Sequence, residues 1–389
     1  MLDIQAAQTP REGKRDSRLG LALAGGGPVG GIYQIGALLA LAESTDGLDL
    51  NDLNIYVGVS SGGLVASALA NQVTIEELCQ VFVRNESMEQ LFAPEEVFFK
   101  PAFVEYIRRA LTVPELVMQS VVRFLTRPFD TKLSASLSNL GQAIPTGVYN
   151  NRAISDFLIE FYGQKGRTDD FRKLKRKLYV VATDLNTAES IVFGSKGNDH
   201  VPISKALQAS SALPGLYSPV EIGGRHYVDG VLRKTLHASA ALKERTDLLL
   251  CVNPIIPFDA SLASSNGSKR LDNLVDGGLP VVLSQTFRTV IYSRMVVGMR
   301  KYGDQYKQAD IMLFLPDRGD PKMFFTNVFS YANRRHVCEH AYQTTRKDLL
   351  ARYTSLRPLL ARHGVTLRKD VLKDADRHYW LVDAHAESV

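Results

Sequence analysis

Cysteine is scarce in this chain, and its scarcity bounds the chemistry early. Of 389 residues only Cys79, Cys251 and Cys338 are cysteines. They are widely separated and form no CxxC pair. An odd count of this kind fits a reducing compartment and small apolar fillers better than a disulfide framework. Long hydrophobic runs are also missing: none approaches the ~20 apolar residues that cross a bilayer as a helix. The N-terminus, MLDIQAAQTPREGKRDSR, lacks the apolar stretch of a Sec signal peptide. A cytoplasmic protein, or one resting on a membrane surface, is therefore expected. No internal repeat, heptad array or low-complexity block occurs, which sets aside solenoids and coiled coils. The charge imbalance is mild, at +5. It would favour an anionic surface but cannot by itself choose between membrane and nucleic acid.

What remains is an ordinary globular composition. With 45% hydrophobic and 22% charged residues, the chain can bury one large domain or two medium ones. Residues 1–17 are polar and charged and read as a flexible tail. Arg18–Ala24 reads as a short buried strand ending in Gly25-Gly26-Gly27-Pro28-Val29-Gly30-Gly31. A helical pattern follows from Ile32 to about Glu43. Asn54–Val59 is a second strand, broken at Ser60-Ser61-Gly62-Gly63 before another helical run. Two strand–glycine turn–helix units in succession predict an α/β layer with a mostly parallel sheet.

From about residue 81 to 150 this rhythm is lost, which marks a helical insertion. Strand signals return at Lys177–Thr183, Ser190–Gly194, Asp247–Val252 and Ile311–Leu315. A Ser/Gly/Asp-rich loop, Asp259–Gly278, precedes a longer helix around Val281–Met299. The expected organisation is a domain over 18–317 and a mainly helical C-terminal extension over 318–389.

Gly58-Val59-Ser60-Ser61-Gly62 fits G-x-S-x-G. A nucleophile presented on a sharp strand-to-helix turn needs neighbours without Cβ on both sides, so that the backbone folds tightly and exposes the hydroxyl. Only Ser60 has glycine at both second neighbours. The helix behind it adds a positive dipole end where negative charge develops.

The earlier turn has two readings. Gly25-Gly26-Gly27-Pro28-Val29-Gly30 satisfies a dinucleotide fingerprint, but no acidic residue closes the second strand to hold a ribose. The alternative is an oxyanion hole built from Gly25, Gly26, Gly27 and Gly30, with successive N–H groups converging on one anion.

A serine also needs a base. Among eight histidines, none sits in the loop frame of a Ser-His-Asp hydrolase, although His226 and His237 stay open. Asp229 lies in Tyr227-Val228-Asp229-Gly230, in a turn expected to expose it, and a plain Asp-Gly turn is the rival reading.

Taken in order, Gly25-Gly26-Gly27-x-x-Gly30, Gly58-x-Ser60-x-Gly62 and Asp229-Gly230 resemble the patatin-like phospholipase family. The resemblance extends to Ala182-Thr183-Asp184-Leu185 and to ALQASSALPGLYSPVEIGGRHYVDG, and covers roughly Leu19 to Leu232. It implies a three-layer α/β fold and a Ser60–Asp229 dyad without catalytic histidine, and it calls for no metal or cofactor. Fatty acyl esters of phospholipids, lysophospholipids or neutral lipids become the expected substrates. Two positions depart from the family pattern: Val29 stands where a basic residue is usual, and Val231 where Gly or Ala is usual. An acyltransferase using the same residues, or a lipid-binding or scaffold protein with an impaired site, is the alternative.

Residues 91–130 interleave aromatics with Lys100, Arg108, Arg109, Arg123 and Arg127. An interfacial segment facing anionic lipid and a helical cap with a solvated basic side both fit. For the basic run Arg172–Lys177, headgroup contact and a solvated approach to a strand are both open. His336-Val337-Cys338-Glu339-His340 matches H-x-x-E-H, but no third zinc ligand is evident. No nucleic-acid partner is expected, and protein partners are not legible.

Overall fold

The computed structural model describes residues 1–10, 17–84, 97–98, 100–126, 144–265, 274–325 and 333–379. Its centre is a nine-stranded sheet. Four strands with near-continuous apolar sequence, Leu19–Leu23, Ile55–Gly58, Leu248–Val252 and Asp310–Phe314, form its middle. They pair in parallel, and Ile55–Gly58 pairs in parallel with Lys177–Asp184. Such sequences suit strands covered on both faces. Side chains alternate between the two faces, as a strand's period of two requires. Leu21, Leu23, Leu248 and Leu250 belong to one apolar cluster, and Ala22, Ala24, Leu249 and Cys251 to the other.

Helices cover both faces, giving three layers. On one side lie α1 (Gly27–Glu43) and α2 (Ser61–Ala70), joined by the helix Arg334–Ala351. On the other side the long helix Gly278–Gln305 packs Ile291, Met295, Met299 and Tyr302 against the sheet. The mostly parallel α/β architecture read from the sequence is present. All three cysteines are buried and free.

The tail behaves differently from expectation. Leu2–Gln5, assigned to the flexible N-terminal segment, is an edge strand antiparallel to Asp310–Phe314, with Leu2 fully buried. Four residues with two apolar side chains are too short a pattern to separate from a polar tail, and only the partner strand's edge fixes them.

The C-terminal helices share the domain's core. A Cβ on Gly36 of α1 would stand 2.3 Å from the Cys338 carbonyl oxygen, so the helix Arg334–Ala351 lies close against α1. Thr366–Leu367 pairs with Thr45–Asp46. Within the insertion, the helix Phe103–Thr126 and the strand Gly147–Tyr149 are described; Leu91, Phe92 and Arg127 lie outside the described residues.

The basic run meets acids: Arg172 pairs with Asp170, Lys175 and Arg176 with Asp52, and Lys177 with Glu244. It is an ion-paired approach to a strand. In the H-x-x-E-H segment, His340 contacts Asp320 and Glu339 contacts His378, so the two groups face different partners.

Candidate active site

The strand Ile55–Gly58 ends at Val59, and the chain reverses at Ser60 into α2. Ser60 has φ 52° and ψ −127°, a conformation that L residues rarely adopt. Backbone strain of this kind is held only where the surroundings over-determine it. Here they do. A Cβ on Gly58 would meet Gly63 Cα at 2.4 Å, and one on Gly62 would meet the Ala24 carbonyl oxygen at 2.4 Å. Both flanking glycines are therefore places where backbone approaches backbone, which is the steric reason for the spacing.

Asp229 reaches Ser60 through strand register. Lys177–Asp184 pairs along one edge with Ser190–Phe193, including Val180 with Phe193 and Ala182 with Ile191. Gly58 pairs with Val180 and Asp229 with Ala182, so both occupy the other edge, end to end. The last residue of Arg225–Asp229 thus arrives beside the elbow that follows Gly58.

Asp229 is not in the exposed turn that its sequence suggested. It closes a strand, and only 3% of it is exposed, because Gly230 packs against the sheet. A Cβ on Gly230 would stand 2.3 Å from the Val181 carbonyl oxygen. The carboxylate accepts the Val231 N–H at 2.9 Å, and the Ser60 side chain lies near enough to lower its pKa. Burial pushes its pKa up to about 7, against the downward pull of the Val231 N–H and the Ser60 side chain. A hydroxyl beside a carboxylate that binds protons near neutrality has a proton acceptor within its reach.

The glycine loop supplies donors. The N–H groups of Gly25, Gly26 and Gly27 have no acceptor among the described residues, and all three residues line the cavity with Ser60. Gly30 differs from expectation: its N–H donates to the Gly26 carbonyl at 3.1 Å, so it is not a free donor. Its smallness serves packing, since a Cβ there would be 2.9 Å from Pro254 Cγ. Ser61, the first residue of α2, also has an N–H without an acceptor among the described residues. Its hydroxyl lacks the flanking glycines that mark Ser60, but its backbone adds a donor at the helix N-terminus.

Val29, where the family carries a basic side chain, is buried in the apolar core. Other groups hold the loop. Gln34 donates to the Ala24 carbonyl at 2.6 Å, and Pro254 packs against Gly26 and Gly30. Neither carries a sequence signal, because both meet the loop from elsewhere in the fold.

Two more residues escaped the sequence reading. The Ser60 N–H donates to Ser210 Oγ at 2.8 Å, and Ser210 Oγ donates to the Val181 carbonyl at 2.6 Å. The Asp229 N–H donates to the Ala212 carbonyl at 3.0 Å. The segment Ser210–Ala212 therefore ties Ser60 and Asp229 together. Its only signal was its place within the family-like stretch ALQASSALPG.

Neither open histidine faces the cavity. His226 is exposed on the edge hairpin. His237 is buried with its Nε2 3.3 Å from the Gly230 carbonyl, and burial depresses its pKa to about 4.

The cavity has a volume of about 710 Å³. Its walls are apolar: Ile32, Ile35, Val65, Leu78, Phe82 and Phe98 on the α1–α2 side, and Leu283, Phe287 and Phe324 opposite. Such a space suits a hydrocarbon chain.

Among solved structures the chain is similar to VipD from Legionella pneumophila, at 15% identity over 96% of this chain and 84% of that chain, with a TM-score of 0.35. It is also similar to ExoU of Pseudomonas aeruginosa, solved in complex with SpcU, at 16% identity over 96% of this chain and 72% of that chain, with a TM-score of 0.29. The family model described as patatin-like phospholipase matches residues 21–242, more than half of the chain, a span that includes the glycine loop, Ser60 and Asp229. The chain belongs to the patatin-like phospholipase family.

Proposed function

We propose that this protein is a lipid acyl hydrolase of the phospholipase A or lysophospholipase type, with Ser60 as nucleophile and Asp229 as base. One observation carries the reading. A buried carboxylate, beside a serine on a strained elbow, opens onto an apolar cavity large enough for an acyl chain.

In this scheme Ser60 Oγ attacks the ester carbonyl carbon while its proton passes to Asp229. The carbonyl π electrons move onto oxygen, beside the free N–H groups of Gly25–Gly27 and Ser61. The intermediate collapses, the C–O bond to the alcohol breaks, and the leaving alcohol takes the proton from Asp229. Water then attacks the acyl-serine by the same route and releases the fatty acid. None of these steps calls on a metal or cofactor.

Lipid supply favours a membrane-facing surface. Phe103, Ile107, Leu111 and Met118 are exposed on the helix Phe103–Thr126, as are Leu279, Leu283 and Phe287 on Gly278–Gln305. Leu283 and Phe287 also line the cavity, so an apolar path joins surface to serine. Among the described residues no helix is long and apolar enough to cross a membrane. Peripheral contact is the mode this surface supports.

The test is a fluorophosphonate probe combined with lipid-substrate profiling. Wild type is expected to label and to release fatty acid, and Ser60→Ala to do neither. Asp229→Asn should lose roughly 10³-fold or more in turnover. A wild type that binds lipid but never labels would identify an impaired binding protein. Acyl transfer to an added alcohol in preference to water would identify an acyltransferase.

A further inference from the structure

The cavity that holds Ser60 contains one cation. Among the described residues that line it, Arg288 is the only basic side chain and Asp229 the only carboxylate. Arg288 projects from the helix Gly278–Gln305 and is 6% exposed. Its partners are few and distant. Nε donates to Ser284 Oγ and Nη1 to the Ile256 carbonyl, both at 3.3 Å, and the guanidinium lies over the Phe324 ring at 5.2 Å. Nη2 has no acceptor among the described residues.

Other arginines in this fold show what a structural guanidinium looks like. Arg377 pairs with Glu43, Arg362 with Asp310, and Arg176 with Asp52. Arg346 is as buried as Arg288 and pairs with no carboxylate among the described residues; its Nε has no partner there either, but both terminal nitrogens are supplied with acceptors. Its two terminal nitrogens donate to the Gln343 side chain and to the carbonyls of Arg377, Val371 and Asp374. Arg288 has neither a carboxylate nor a full set of carbonyls. A buried charge left in this condition is unfavourable unless something brings an anion to it. Burial also depresses its pKa, to about 10, which leaves it charged at neutral pH.

From this arrangement we infer that Arg288 is a specificity-determining residue: it receives an anionic oxygen of the substrate, the phosphodiester of a phospholipid, while the ester carbonyl lies at Ser60. The inference rests on the hydrolase reading and deepens it, giving to one residue the preference for phosphate-bearing over neutral acyl esters. A planar guanidinium with a free edge suits a phosphate's paired oxygens. Ser284, on the same cavity wall, adds a hydroxyl within reach of the same group. The apolar opposite wall takes the acyl chain. A neutral diacylglycerol would fill the apolar part and leave the guanidinium without an anion.

The test compares a diacyl phosphatidylcholine with a diacylglycerol of identical chains, in mixed micelles, on wild type, Arg288→Met and Arg288→Lys. Arg288→Met is expected to lose roughly 10- to 100-fold in kcat/KM on the phospholipid, the worth of one charge-assisted hydrogen bond. On the diacylglycerol it should stay within about three-fold of wild type, with unchanged fluorophosphonate labelling and an undiminished Tm. Arg288→Lys, which keeps charge without the planar fork, should lose less, again on the phospholipid alone. Equal losses on both lipids, no loss on either, or a loss tracking a fall in Tm and labelling would overturn the assignment. So would fatty-acid inhibition relieved in Arg288→Met with an unchanged phospholipid-to-diacylglycerol ratio, which would give the site to the product carboxylate. A wild type that cleaves neither lipid and does not label would instead overturn the hydrolase reading beneath it.

Discussion

The backbone N–H of Ser60 is held by the hydroxyl of Ser210 at 2.8 Å, across 150 positions of sequence. Ser210 in turn donates to Val181 at 2.6 Å, so the elbow is anchored to the strand Lys177–Asp184, against which Asp229 pairs at Ala182. Ser210→Ala leaves a buried N–H and a buried carbonyl each short of a partner. A loss of about 1–3 kcal/mol in stability is expected. Turnover should fall more than KM rises, because the acyl pocket is untouched. Thermal melting and steady-state kinetics check this, and wild-type values in both would show that the elbow holds itself.

The pKa of Asp229, raised to about 7, sets a pH profile. A base must be ionised, so kcat/KM should fall about ten-fold per unit below pH 7 and level off above it. A flat profile down to pH 5 would remove Asp229 from the role.

Stability carries the same group with a second one of opposite sign. Asp229 keeps a proton in the folded state that the unfolded chain releases between its ordinary value of 3.8 and about 7. Its contribution therefore falls as pH rises through that window, by about 1.4 kcal/mol per unit. His237 refuses, down to about 4, a proton that the unfolded chain binds below 6.5. Its contribution falls as pH drops from 6.5 to 4. Between pH 4 and 6.5 the two slopes cancel, and single variants should expose each. Relative to wild type, Asp229→Asn should gain stability as pH rises toward 7. His237→Asn, which suits the left-handed backbone there (φ 39°), should gain as pH falls below 6.5. Parallel curves for all three proteins would refute both assignments.

Gly62→Ala should abolish probe labelling. The added methyl would stand 2.4 Å from the Ala24 carbonyl oxygen and 2.6 Å from that of Leu23, so the elbow and the glycine loop would have to separate. Steric overlap with backbone has no flexible side chain to relieve it. A Gly62→Ala protein that labels at the wild-type rate would show that the two turns are less tightly coupled than their contacts imply.

Membrane partition should follow the exposed apolar face. Phe103 is 65% exposed and Leu111 76% exposed on the same helix. Phe103→Ser with Leu111→Ser should weaken co-sedimentation with lipid vesicles roughly ten-fold or more, while hydrolysis of a soluble short-chain ester is retained. Equal partition by wild type and variant would leave this helix as a solvated cap.

The buried parallel strands were legible because each is apolar almost throughout, and the elbow because glycine at Gly58 and Gly62 is a local steric demand. Leu2–Gln5 and Arg225–Asp229 were not legible as strands. Both are short, and each exists through the edge it pairs with. Asp229 looked like an exposed turn for the same reason: nothing in Tyr227-Val228-Asp229-Gly230 reports that Val181 lies against Gly230.

The sequence alone determined the local geometry of this protein, the two glycine turns that present Ser60 and its neighbouring donors, because tight turns depend on side-chain size within a few residues. Family resemblance added the pairing with Asp229. Tertiary structure decided the rest. Strand register set Asp229 beside the elbow, and burial moved its pKa toward neutrality. Packing left Arg288 in the same cavity without an anion. Proton affinity and charge compensation depend on what surrounds a group in space, and distant segments of the chain supply those surroundings only once it has folded.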